Sequence, residues 1–128
     1  MAQEDRWREI ARRALLSAER LYQEGDFRGC ANRAYYAAYQ AATGASVKHG
    51  DQNQFPAGWN NPAHDQLPEL IQNNGDLAVS TRRRVSTHLI ALRSTREDAD
   101  YRPGRTVDKE IALNRVQRAK QVLELLGE

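Results

Sequence analysis

From Gln3 to Glu24 apolar residues recur at intervals of three and four, with Trp7, Ile10, Ala11, Ala14, Leu15, Ala18, Leu21 and Tyr22 sharing one side, a spacing that predicts an amphipathic helix. Gly25 ends it, and Asp26 is placed to cap a second helix. That helix is expected to run to Gly44, a residue suited to stopping it in the left-handed conformation. So short a connection makes the pair an antiparallel hairpin. At about 100° per residue, Phe27, Cys30, Ala31, Ala34, Ala38 and Ala41 fall on one stripe that lets a neighbouring helix approach closely. Asn32, Tyr35, Tyr36 and Tyr39 flank the stripe or face away from it, either as an interaction surface or as rings covering the rim of the core with wet hydroxyls.

A segment rich in Gly, Asn, Gln and Pro follows at about 45–62, predicted to be a long loop that its two aromatic residues, Phe55 and Trp59, fold back and anchor. A short helix is expected at Gln66 to Asn73, with Pro68 in its first turn and Asn74-Gly75 ending it. The fourth helix is placed from about Leu77 to Asp98, with Ala78, Val85, Leu89 and Leu92 on its buried side. Pro103-Gly104 breaks the chain, and Thr106 or Asp108 caps a fifth helix buried through Ile111, Ala112, Val116, Ala119, Val122, Leu123 and Leu126. No segment alternates as a strand would. The expected fold is all-α, an up-and-down bundle of four long helices and one short one, formed by a single domain over residues 1–128.

A chain of 128 residues can bury a real core, and its net charge of +2 is too small by itself to argue for nucleic acid or membrane. A lone cysteine, Cys30, on the small-residue stripe points to packing rather than nucleophilic chemistry. With no run that resembles a signal peptide or a bilayer span, the expected setting is a reducing cytoplasm without a membrane partner. His49, His64 and His88 show no ligand spacing with cysteines or carboxylates, so neither a metal nor a cofactor is expected. Phosphate-cradling glycine loops and serine-elbow motifs are lacking too.

Charge is distributed unevenly. Arg82, Arg83 and Arg84 form a run in the fourth helix, and Arg93, Arg96, Arg102 and Arg105 follow against Glu97, Asp98 and Asp100. Arginine's planar fork suits phosphate, so this basic end fits RNA or a nucleotide as readily as it fits a solvated helix face. Arg96 stands apart because helical geometry puts it at the centre of the apolar stripe, where a guanidinium needs a partner. Asp100 is the nearest candidate, and Asp98 or Asn32 would serve if the helices pack accordingly. His88 lies on the edge of the same stripe.

Three segments together resemble the HEPN superfamily, and within it the small prokaryotic proteins that consist of little besides this domain. The first is Gly25-Asp26-Phe27 through Asn32-Arg33-Ala34-Tyr35-Tyr36-Ala37. The second is Arg96-Glu97-Asp98-Ala99-Asp100-Tyr101-Arg102-Pro103, similar to that subgroup's arginine followed by alanine-aspartate-tyrosine. The third is the capped last helix from Val107, with Glu110, Ala119 and Leu123. The resemblance implies a helical bundle that usually forms a homodimer and often works with a minimal nucleotidyltransferase as a toxin-antitoxin or defence pair. In many members it also implies RNA cleavage without metal, through an arginine, four to six residues and a histidine.

Arg82 and Arg83 satisfy that spacing with His88, but a five-residue step turns about 140° and sends Arg83 toward solvent while His88 faces the core rim. Arg84 shares the face of His88 better and misses the spacing. The subgroup's motif lies near the end of this helix, where the chain offers Arg96, Asp100 and Tyr101 and no histidine. Attack by a 2′-hydroxyl needs a group that accepts and donates a proton near neutral pH, which arginine does not. An aspartate held against Arg96 also makes a poor proton donor. The reading expected from the sequence is a binding module in which Arg96, Asp100, Tyr101, Asn32 and Tyr36 line a polar groove for a nucleotide, RNA or a partner transferase. The alternative is a metal-independent endoribonuclease using His88 with Arg83 or Arg84.

Overall fold

The computed structural model describes residues 2–127. Among them the chain forms α1 (Gln3–Gln23), α2 (Phe27–His49), a 3-10 turn (Asp51–Gln54), α3 (Leu67–Gln72), α4 (Val79–Tyr101) and α5 (Lys109–Leu125), with no strand. Four helices are long and one is short, an all-helical bundle as the periodicity predicts.

The starts of α2 and α5 show why they form where they do. Asp26 accepts a hydrogen bond from the Gly29 amide at 2.9 Å, and Asp108 one from the Ile111 amide at 2.9 Å, each satisfying an otherwise unpaired first-turn donor. Gly25, at φ +82°, makes the reversal between α1 and α2 that a side chain would strain.

Helix α2 lies at the centre and packs against α1, α3, α4 and α5. Its alanines at 34, 37, 38, 41 and 42 are buried in one cluster with Ala11, Ala14 and Ala18 of α1, Val85, Leu89 and Leu92 of α4, and Ala112, Val116, Ala119 and Val122 of α5. Small side chains on a central helix let backbones approach, while larger residues on the outer helices fill the remaining space. Cys30 belongs to this core, and burial, with a smaller contribution from Asp26, pushes its thiol pKa up to about 11.

Three expectations need correction. Gly44 does not end α2, which continues to His49 and stops at Gly50, in the left-handed conformation at φ +94°. Gly44 is glycine for another reason: a Cβ there would stand 3.1 Å from Trp7 Cβ and 3.3 Å from the Glu4 carbonyl, so it sets the closest approach of α1. The extra turn buries Val47 with Phe55, Leu70 and Trp7, so the loop begins after position 50 rather than at 45. Second, Phe55 anchors the loop as expected, but Trp59 is 54% exposed and does not. Third, Ala78 is the exposed residue preceding α4 rather than part of its buried side. No helix among the described residues is long and apolar enough to cross a membrane.

Candidate functional site

Arg96 reaches the core edge on the last turns of α4, where its side chain is only 13% exposed. Its guanidinium lies 5.5 Å from the Tyr36 ring centroid and 5.3 Å from that of Tyr101, with Nη2 donating to the Tyr101 hydroxyl at 3.3 Å. Nε sits 2.9 Å from Asp100 Oδ2, an ion-pair distance, yet its N–H is not aimed at that oxygen and this buried atom makes no hydrogen bond. Nη1 has no partner among the described residues and is open to solvent. Burial works against the charged form, but Tyr36, Tyr101 and Asp100 outweigh it and move the pKa upward.

Asp100 takes a second contact from Asn32 Nδ2 at 3.0 Å, which ties α2 to α4. Asn32 in turn accepts from Arg33 Nε at 3.0 Å, and the Arg33 guanidinium covers Tyr36 at 5.0 Å, so that ring carries two cations. Asp98 is not a partner of Arg96; it pairs with Arg102 at 2.9 Å. The structure therefore brings Arg96, Asp100, Tyr101, Asn32 and Tyr36 together in one cluster of contacts, with Asn32 acting on Asp100 rather than on the arginine.

The tyrosine expectation is overturned in part. Tyr35 and Tyr39 are buried rather than on the rim, and their hydroxyls are not wet. Tyr35 Oη lies 2.6 Å from His64 Nδ1; Tyr39 Oη donates to the Pro62 carbonyl at 2.5 Å and accepts from Asn61 at 2.8 Å. With its ring centroid 4.9 to 6.0 Å from those of Tyr35, Tyr36 and Tyr39, His64 completes a cluster of four rings. Burial, then the charges of Arg96 and Arg93, lower the His64 pKa, with Asp65 and Glu97 opposing.

Sequence reasoning named His64 only as a non-ligand and Arg93 only as part of the basic run, and placed neither beside Arg96. Arg93 precedes Arg96 by three positions and so shares its face, a signal that was legible. Its Nε, 3.1 Å from Glu97 Oε1, is likewise buried without an aligned hydrogen bond. Arg93 also lines an adjoining cleft of about 450 Å³ with Asp65, Pro68, Ile90, Glu97 and Arg102. No spacing signal ties a loop histidine to helix residues far along the chain.

A third missed residue holds the groove in place. Arg28 donates from Nη1 to the carbonyls of Asp98 and Ala99 at 3.0 and 3.1 Å, and from Nη2 to those of Pro103 and Arg105, capping the C-terminal end of α4 from α2.

The second candidate cluster lies elsewhere. Arg83, Arg84 and His88 converge with Thr87 and Gln121 on a hollow of about 250 Å³, two turns or about 12 Å along α4 from Arg96. Arg118 Nη1 donates to His88 Nδ1 at 3.1 Å. An arginine can only donate, so Nδ1 accepts and the neutral ring carries its proton on Nε2. Burial, Arg118 and Arg84 all lower the His88 pKa. Arg82 is spent on structure, donating to the carbonyls of Leu77 and Gln72. Among the described residues no three His, Cys, Asp or Glu side chains are grouped so as to hold a metal ion.

Neither the curated proteins nor the solved structures compared with the chain give a match. A family model described as HEPN domain matches residues 4–128, and with the all-helical bundle and the arginine-to-tyrosine segment at the end of α4 in view, the chain belongs to the HEPN domain family.

Proposed function

We propose that this HEPN chain is a binding module whose Arg96 groove takes a phosphodiester-bearing ligand, a nucleotide or an RNA strand. In this reading it works as a homodimer in a toxin-antitoxin or defence type system, with a nucleotidyltransferase as protein partner. The observation that carries the reading is the guanidinium of Arg96, held between two tyrosine rings with a buried, misaligned Nε and an open Nη1. A cation so held keeps Nη1 in reserve for an oxyanion, and Arg93 beside it shares one feature, a buried Nε without an aligned hydrogen bond. Tyr101, 69% exposed, adds a face on which a base can stack.

Fluorescence anisotropy with a short labelled single-stranded RNA, in EDTA and at low salt, tests this. Arg96→Gln is expected to weaken binding at least tenfold, about 1.4 kcal/mol. Unchanged binding alongside a lowered melting temperature would make the groove merely structural.

The hollow at Arg83, Arg84 and His88 favours a second reading, a metal-independent endoribonuclease. It requires RNA cleavage that survives EDTA and disappears in His88→Ala. The Arg118 hydrogen bond speaks against it, because it leaves His88 Nε2 protonated and unable to accept a 2′-hydroxyl proton.

A further inference from the structure

We propose that His64 is a third anion-binding donor of the Arg96 groove, its Nε2–H reaching a non-bridging oxygen of a phosphodiester that lies against Arg93 and Arg96. This deepens the binding reading above and rests on it. The loop bearing His64 is fastened on both sides of the residue. Tyr39 holds Asn61 and Pro62 before it, and Leu67 enters the core after it. The imidazole is oriented by the three tyrosine rings packed around it.

The tautomer follows from the Tyr35 hydroxyl. Tyr35 is 2% exposed, and His64 Nδ1 is its one hydrogen-bond partner among the described residues. A buried hydroxyl must place its proton, so Tyr35 donates and Nδ1 accepts. Burial, then Tyr39, push the phenol pKa up, so the proton stays available to give. The neutral ring therefore carries its own proton on Nε2. That nitrogen has no protein partner and is not buried, so it opens to solvent, and the charges of Arg96 and Arg93 discourage a second proton on the ring. A neutral donor beside two guanidinium groups suits anionic oxygens. It is also the wrong tautomer for a base that must take the proton of a 2′-hydroxyl at Nε2. Tyr35 is the positioning residue: it fixes which nitrogen donates.

Two probes distinguish the sources of the phosphodiester: uridylyl-uridine, with a single such group, and a short single-stranded RNA. Affinities would be measured for the natural chain, His64→Gln, Tyr35→Phe and Arg96→Gln, with imidazole nitrogen NMR on the natural chain. His64→Gln is expected to weaken binding of RNA about tenfold. The free protein should show the Nε2–H tautomer, with the Nε2 resonance moving when RNA is added. Tyr35→Phe should produce a tautomer mixture and weaken binding although His64 is still present. Equal losses with uridylyl-uridine identify one phosphodiester as sufficient; losses with RNA alone identify a strand as the ligand. Binding lost in Arg96→Gln but retained in His64→Gln, or an Nδ1–H tautomer, would overturn the role of His64 and leave the groove reading standing. RNA cleavage abolished in His64→Gln would replace the donor with an acid–base group. Failure of the natural chain to bind either probe would overturn both readings.

Discussion

Replacing Tyr39 with phenylalanine removes one oxygen from a buried site. That hydroxyl donates to the carbonyl of Pro62, a fully buried residue with no other acceptor role, and accepts from Asn61 Nδ2, which is half-buried. Asn61 can turn toward solvent at little cost, whereas the Pro62 carbonyl is left unpaired, a loss of about 1–2 kcal/mol. The ring itself, in the core beside Tyr35, Tyr36 and His64, is unchanged, so no cavity larger than the missing oxygen forms. For a chain of this size the expected fall in melting temperature is roughly 4–8 °C, read by calorimetry or circular dichroism. Hydrogen exchange should locate the change: faster exchange across residues 57–66, with α2 and α5 unaffected. A melting temperature within about 1 °C of the natural chain, with loop protection intact, would refute the claim that this hydroxyl fastens the loop.

Arg28→Met keeps the aliphatic stem and removes four donors to the carbonyls at 98, 99, 103 and 105; stability should fall by about 2 kcal/mol. Because the last turn of α4 carries Asp100 and Tyr101, the same variant should weaken RNA binding without touching the ligand, and a retained affinity at full occupancy of the fold would count against the capping role. Stability should also fall as pH drops from about 7.5 to 5.5. The folded chain holds His64 and His88 below their ordinary value of 6.5, so in that window the unfolded chain binds more protons and acid favours it. His49, raised by Asp76, works the other way, but Asp76 is well exposed and the pair is screened by solvent, so its contribution is small. Urea midpoints at the two pH values should converge in a His64→Gln, His88→Gln double variant, and an equal pH effect with both histidines gone would locate the linkage elsewhere.

The helices were legible because each outer helix buries one stripe, and periods of three and four survive in such stripes. Asp26 was legible as a cap because an acidic residue stands just after Gly25 and before Phe27, and Asp108 was one of two candidates, with Thr106, ahead of the last apolar stripe. Arg96 stood out as a charge in an apolar row. Apart from Trp59 and Ala78, what was misread belongs to α2, whose neighbours lie on nearly every side. Its alanine stripe indicates one buried face and says nothing of α3 and the loop covering Tyr35 and Tyr39. Gly44 was misread for a related reason: local preference for a helix end yielded to contact with Trp7, a residue 37 positions earlier that no pattern within α2 mentions. His64 was invisible because its partner Tyr35 is 29 residues away and neither lies in a shared periodic segment.

The loop is pinned at two places, by Phe55 in the small cluster with Val47 and Leu70, and by the Tyr39 and Tyr35 hydrogen bonds from residue 61 onward. Between those pins, residues 57–60 are exposed. Length there is nearly free: doubling such a segment adds only about 0.6 kcal/mol of closure entropy. The tip at 57–60 is thus a place where a reporter peptide or a recognition element can be grafted beside the groove while the histidine keeps its position, and where sequence drift can change what approaches the site without unmaking it.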